Sequence, residues 1–318
     1  MPLARCRIRH VLRSLVGASL AVVTAAGVTA CGQQPAPAAH ASEHTARAVL
    51  SSAGAARTGR KVTKLLVFVV ENHSLTEMKQ GMPFVRGLAR RYAYATNYHA
   101  ITHPSLPNYL AIAGGSTFGV SDDDSPSAHR IHGHSVFGLA LRHGRTAKVY
   151  ADGMPHRCDL SSGGTDYAVK HNPWAYFVDE RRACRRHDVP VRQLARDVAA
   201  GRLPNAGMVV PNLVHDAHDG SLAQADAWIR QKVDMIRRGR DWTSGRLAIV
   251  ITADENDGRS GNRVLTVVAS RSVPHRVVRR RLTHYSLTRL YLDVLGVRRI
   301  RRARTAPSMT AAFRVPVR

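Results

Sequence analysis

From about residue 62 onward, short continuous runs of apolar, mostly β-branched residues alternate with stretches in which apolar positions recur every three or four residues. The continuous runs are Leu65–Val70, Ala206–Val210, Leu247–Thr252 and Val264–Ala269. Runs of that length suit strands covered on both faces. The helical spacing falls on Phe84–Tyr92, Ser135–Arg142, Val191–Ala200, Ala223–Arg238 and Ser286–Leu295. Strands alternating with helices predict an α/β fold, a three-layer sandwich around a mostly parallel central sheet.

The runs stop abruptly at polar clusters. Leu65–Val70 ends at Glu71, Asn72 and His73, and Leu247–Thr252 runs through Ala253 into Asp254, Glu255, Asn256 and Asp257. Ala206–Val210 leads into Pro211 and Asn212, then His215, Asp216, His218 and Asp219. In open α/β sheets ligands gather beyond the carboxyl ends of the strands, so these clusters are expected to converge. Glu71 with Asn72 and Asp254 with Glu255 offer an oxygen-rich donor set of the kind that suits a hard or borderline divalent cation. A helix cap or surface turn is the bland reading of either doublet alone, but two doublets, each straight after a buried strand, favour the cation.

Thr102–Tyr109 is the second informative stretch, with Pro104 and Pro107 around Ser105 and a short apolar helix expected behind them. Ser105 reads equally as a nucleophile or as the helix N-cap. No Gly-x-Ser-x-Gly elbow or triad order accompanies it, which leaves metal activation as the route. His218 is the candidate phosphate contact or general acid. His171, His103 and His284 are weaker candidates for the same site, with Asn108 and Asp219 expected near the substrate.

The N-terminus bears on compartment. Arg5, Arg7, Arg9 and Arg13 precede a small, apolar stretch that ends in Val28, Thr29, Ala30 and Cys31. That is the layout of a secretory signal. Residues 1–30 are expected to be a lipoprotein signal and Cys31 the lipidated mature terminus, with an ordinary secretory signal as the alternative. Residues 31–61, rich in Ala, Pro, Ser and Gly, read as a flexible tether, 62–296 as one domain, and 297–318 as a basic tail. Outside the cytoplasm, Cys158 and Cys184 are expected to form a disulfide, since a cysteine-rich metal site would show closer paired spacing.

The formal charge is +25, or +21 without the four arginines of the leader, and implies an anionic partner. Only six of the 47 basic residues are lysine, a skew that nucleotide composition also produces. With no nucleic-acid-binding signature present, no specific nucleic-acid partner is expected.

The strings VVENHS, THPSLPNYLAIAGG, KHNPWAYF, PNLVHDAHDGS, ITADENDG and THYSLTRLYLDVLG occur in order between about Lys64 and Gly296. In this the chain resembles the bacterial and fungal phosphoesterase family that contains acid phosphatases and phospholipases C. The resemblance implies an alkaline-phosphatase-like core and one divalent metal ion held by Glu71, Asn72, Asp254 and Glu255 with the Ser105 hydroxyl. It also implies phosphate-ester hydrolysis through a phosphoserine intermediate, and it supports the Cys158–Cys184 pairing. The chain lacks the added C-terminal domains of many phospholipase relatives, and serine rather than threonine stands at the nucleophile position. Both departures favour phosphate monoesters. A phospholipase C or other phosphodiesterase is the rival enzyme, and an anion-binding envelope lipoprotein without turnover the rival of another class. The expected partners are a phosphorylated small molecule or phospholipid and, through the lipid anchor, a membrane, with the chain acting as an exported monomer.

Overall fold

The computed structural model describes residues 60–259 and 261–317. The expected signal, Cys31 and nearly all of the expected tether lie outside the described residues.

The described chain forms nine strands: β1 Lys64–Val70, β2 Ala93–His99, β3 Ala147–Ala151, β4 Asp188–Pro190, β5 Ala206–Val210, β6 Leu247–Ala253, β7 Arg263–Ser270, β8 Val277–Val278 and β9 Leu282–Thr283. They make one sheet in the order β4-β3-β5-β1-β6-β7-β2-β8, with β9 also paired to β2. Neighbours from β4 through β6 are parallel, and β7 alone runs antiparallel to both of its neighbours, β6 and β2. The sheet is therefore mostly parallel, as the alternation of elements predicts. In β1 every residue after Lys64 is buried, and in β6 every residue is. Val67 pairs with Met208 on one side and Val250 on the other, which is why this segment reads as a continuous apolar run.

Among the described residues ten α-helices accompany the sheet: α1 Leu75–Gly81, α2 Pro83–Arg91, α3 Ser105–Gly114, α4 Val136–Arg142, α5 Arg181–His187, α6 Arg192–Ala199, α7 Leu222–Arg238, α8 Arg240–Thr243, α9 His284–Leu295 and α10 Met309–Phe313. Their ends follow ordinary capping chemistry. A Ser221–Gln224 capping box opens α7, and Gly296, with φ of 71°, closes α9 in the left-handed conformation. From α7, Trp228 packs edge-on against Phe68 of β1 with ring centroids 6.4 Å apart. From α9, the Tyr291 hydroxyl reaches the Gly207 carbonyl of β5 at 2.6 Å, and its ring meets Phe137 of α4. Side chains of this size each contribute roughly 1.5–3 kcal/mol on burial.

Residues after Gly296 are not a tail. Ala303, Met309 and Phe313 are fully buried, Thr310 Oγ1 donates to Asp293 Oδ2 at 2.7 Å, and the Val62 N–H donates to the Pro316 carbonyl at 2.6 Å. The arginines that make the segment look solvated are themselves used: Arg301 donates to the Gly114 and His134 carbonyls, and Arg299 to Asp293. Cys158 and Cys184 form a disulfide with Cα atoms 5.3 Å apart, which joins the loop after β3 to α5.

Candidate active site

β1 and β6 pair in register through Val70 and Ala253, so the next residues, Glu71 and Asp254, emerge side by side. The backbone holds them there. The Asp254 N–H donates to the Val70 carbonyl at 3.0 Å and the Glu71 N–H to the Asp216 carbonyl at 2.8 Å, while the Asn72 N–H donates to Asp254 Oδ1 at 3.1 Å. Asn72 takes φ of 56°, a left-handed conformation that asparagine tolerates better than most residues. The loop that brings Asp216 needs Gly220, because a Cβ there would stand 2.1 Å from the Val214 carbonyl oxygen.

Ser105 is the first residue of α3, and Pro104, not Ser105, is the N-cap, with no capping side chain of its own. The serine hydroxyl is free of capping and donates to Glu71 Oε2 at 3.0 Å. Of the two readings of Ser105, the N-cap is thus the one the fold does not adopt. His171, buried and stacked on Tyr109 at 5.1 Å, places Nε2 3.1 Å from Glu71 Oε1 and Nδ1 3.0 Å from Asp216 Oδ2. These approaches lack hydrogen-bond alignment, so Glu71 Oε1, Asp216 Oδ2 and both ring nitrogens have no hydrogen-bond partner, and neither has Asp254 Oδ2.

The electrostatics follow from that crowding. Burial, then the Asp254 and Asp216 carboxylates, hold Glu71 well above the ordinary carboxylate range. Burial raises Asp254 as well, and it pushes Asp216 up to about 7. Glu255 rises to about 9 through burial and then the charges of Asp254 and Asp123, whereas burial lowers His171 to about 3. Buried carboxyl groups cannot all ionise together without a cation among them. Oxygen donors without partners, on Glu71 and Asp254 beside the Ser105 hydroxyl, fit a divalent cation.

Two of the expected ligands also make other contacts. Glu255 accepts from Asn108 Nδ2 at 2.8 Å and lies 3.0 Å from His103 Nδ1, so its carboxylate braces the loop before α3. Asn72 contributes its backbone to Asp254, with its side chain half-buried. Among the described residues, the trios of acidic, histidine or cysteine ligands that approach most closely are Cys158, Cys184 and Asp188, with its sulfurs in the disulfide, and the largely exposed Asp122, Asp124 and His129.

Two expected substrate contacts do other work. Asn108 is fully buried, with its carbonyl oxygen accepting the Ile101 and Thr102 N–H groups, and it shapes the loop. His284 is sealed between the Tyr98 hydroxyl at 3.1 Å and the Asp254 carbonyl at 2.5 Å, and burial lowers it to about 4. It is therefore a neutral prop for the Asp254 backbone. His218 is open to solvent, with Nδ1 2.6 Å from Asp219 and its ring centroid 6.0 Å from that of His171.

Sequence reasoning missed two groups. Lys170, in the KHNPWAYF string directly before His171, donates to Asp123 Oδ2 at 2.8 Å, and Asp123 Oδ1 accepts the Leu106 N–H at 2.8 Å. Burial works against the Lys170 charge, but the Asp123 bond and then the Glu71 and Asp254 carboxylates leave its pKa raised. The only signal for Asp123 was its place in a run of three aspartates.

A buried serine beside crowded carboxylates, at the carboxyl ends of a mostly parallel sheet, defines the class: a hydrolase acting on phosphoric esters, built on the alkaline-phosphatase-like fold. Residues 71–297 match the model of the Phosphoesterase family, and the chain belongs to that family. It is 29% identical over 252 residues to a phosphatidylinositol-3-phosphatase of Mycobacterium tuberculosis, covering 77% of this chain and 81% of the relative. It is 30% identical over 213 residues to a phosphate-repressible acid phosphatase of Penicillium chrysogenum, covering 63% of this chain and 51% of the relative. The chain thus spans about half the length of that fungal enzyme. Among solved structures, the 2-O GAG sulfatase BT1596 superimposes with a TM-score of 0.56 at 11% identity, covering 80% of this chain and 74% of that one. A protein of the alkaline phosphatase superfamily from Vibrio parahaemolyticus gives 0.52 at 11% identity, covering 75% and 67%.

Proposed function

We propose that the protein is a metal-dependent phosphomonoesterase, acid phosphatase-like, that works through a phosphoserine on Ser105. The observation that carries this reading is the Ser105 hydroxyl, uncapped and 3.0 Å from Glu71 Oε2, beside partnerless carboxylate oxygens of Glu71 and Asp254. Glu71, Asn72 and Asp254 would hold the cation with Ser105, and Glu255 is the remaining donor. A bound divalent cation supplies charge that favours the serine alkoxide and offsets the phosphoryl oxygens.

The chain's own groups account for the rest. Glu71 Oε2 orients Ser105 Oγ, whose proton passes to solvent, and the oxygen forms the new bond to phosphorus as the bond to the ester oxygen breaks. His218, held by Asp219 through Nδ1, delivers a proton from Nε2 to the departing oxygen when the ring is protonated. Water, giving a proton back to His218, then attacks the phosphoserine, and the serine oxygen leaves and takes up a proton from solvent as the hydroxyl. Lys170 adds fixed positive charge beside the reacting group, where preorganised charge is most effective.

The substrates in this reading are phosphate monoesters, either of small molecules or on a phospholipid headgroup. The latter is supported by the phosphatidylinositol-3-phosphatase relative. Export and lipid attachment at Cys31 belong to the same proposal and rest on the N-terminal sequence. The test is p-nitrophenyl phosphate hydrolysis by the full chain, wild type against Ser105→Ala, with chelator and with each of several divalent metals restored. The expected result is metal-restored turnover that falls by at least about 10³-fold in the variant. Equal turnover in Ser105→Ala would remove the nucleophile, and chelator-insensitive turnover would remove the metal.

A further inference from the structure

A cavity of about 720 Å³ has Arg130, Lys170, Arg181, His218 and Asp123 as its charged lining; Ser105 is not part of that lining, but Asp123 accepts the N–H of Leu106, the residue after Ser105. Asp123 is its one carboxylate, and it is already engaged by Lys170 and by the Leu106 N–H. Arg130 and Arg181 make no ion pair among the described residues, and Arg181 is fixed by a 2.5 Å bond from its guanidinium to the Ala175 carbonyl. Burial, and then the neighbouring Arg185 and Arg130 charges, lower the Arg181 pKa with no acid to offset them. Two guanidinium groups that line one cavity without a carboxylate partner, Arg181 half-buried and Arg130 exposed, make a site for a compact, multiply charged anion, which they can bind through paired donors.

We propose that this cavity receives the leaving group, and that Arg130 and Arg181 select phosphate monoesters whose leaving group carries a second phosphate. The inference rests on the phosphomonoesterase reading and adds its specificity. Lys170 and His218 border both the cavity and the catalytic cluster, so one phosphate would meet Ser105 while the other meets the arginines. The general positive charge of the chain attracts any anion and weakens with salt. A local pair discriminates by geometry, and this difference makes the proposal testable.

The experiment compares kcat/KM at about 0.15 M salt for fructose 1,6-bisphosphate against fructose 6-phosphate, and for a phosphatidylinositol monophosphate in phosphatidylcholine vesicles against p-nitrophenyl phosphate. Wild type, Arg130→Gln and a control at the distant, exposed Arg298, Arg298→Gln, are measured. In wild type the doubly phosphorylated substrate is favoured, and Arg130→Gln shrinks that preference about tenfold, mainly through KM, whereas Arg298→Gln leaves the ratio in place. A collapse confined to the soluble pair identifies a soluble bisphosphate, and one confined to the vesicle pair identifies a lipid headgroup. A ratio unchanged in Arg130→Gln, or changed equally in Arg298→Gln, overturns the proposal. Calorimetric binding of fructose 1,6-bisphosphate to Ser105→Ala, with and without Arg130→Gln, tests the pocket without turnover. Equal affinities there also overturn it, while weaker binding by the double variant together with a wild type that hydrolyses no ester would sink only the phosphatase reading.

Discussion

Lys170 Nζ and Asp123 Oδ2 stand 2.8 Å apart, and because Asp123 also accepts the Leu106 N–H, one carboxylate ties the residue before His171 to the first turn of α3. Ser105 and the buried His171 are thereby fixed to each other through a side chain that touches neither. Replacing Lys170 by Gln removes the positive charge and leaves Asp123 with only its backbone bond. Expected is a fall of about 10²-fold in kcat/KM for p-nitrophenyl phosphate, partly recovered by Lys170→Arg. A drop of less than threefold would mean the lysine serves structure alone.

Glu71 sits with Asp254 and Asp216 in a cluster that burial and mutual repulsion make costly. In chelator, Glu71→Gln is expected to leave the chain at least as stable as wild type, because it removes one of the crowded charges. The cost emerges when metal is restored. Wild type should gain about 2.7 kcal/mol at a metal concentration a hundredfold above Kd, and the variant most of that less, read as the shift in Tm. Equal shifts in the two proteins would place the metal elsewhere.

Asp188 is fully buried, accepting from Asn172 Nδ2 at 2.7 Å, and burial raises its pKa from the ordinary 3.8 to about 8. With the folded-state pKa above the unfolded one, the folded state holds the proton more tightly. Its contribution to stability is complete below pH 3.8 and is lost as the pH rises to about 8, at up to about 1.4 kcal/mol per pH unit. Asp188→Asn, which cannot ionise, should therefore gain on wild type between pH 5 and pH 8 in urea denaturation. Parallel pH profiles for the two proteins would show that Asp188 does not titrate in this window.

Phe313, in α10, is fully buried against the domain. Phe313→Ala should cost about 3–5 kcal/mol, the range for truncating a large core aromatic, measured by denaturant unfolding. A cost under about 1 kcal/mol would restore the reading of residues 297–318 as a dispensable tail.

What the sequence disclosed follows from where its information is local. β1 and β6 are buried on both faces, so their apolar runs are continuous and the polar residues that end them, Glu71 and Asp254, stand out. The helices of 3.6-residue period appear within a residue or two of their expected limits, as with α7 and α9. β2 was not legible because AYATNYH alternates between buried and half-buried positions and takes its place only by pairing with β7, β8 and β9. The segment after Gly296 misled because its arginines outnumber Ala303, Ala306, Met309, Phe313 and Val315, the residues that bury. His284 misled for a related reason. A histidine at a helix start looks available until the fold encloses it between Tyr98 and Asp254. Asp123 is distant in sequence from Lys170 and Leu106, and only the folded chain brings them together.

The bond between the Val62 N–H and the Pro316 carbonyl joins the two limits of the folded region at the base of β1, whereas Glu71 lies at its opposite end. Seven residues of strand separate base from summit, about 23 Å at the usual rise. Both limits of the described fold therefore lie at the end of β1 opposite Glu71, so that a change of chain length at either limit would alter the far end of the strand and leave the surroundings of Ser105 as they are.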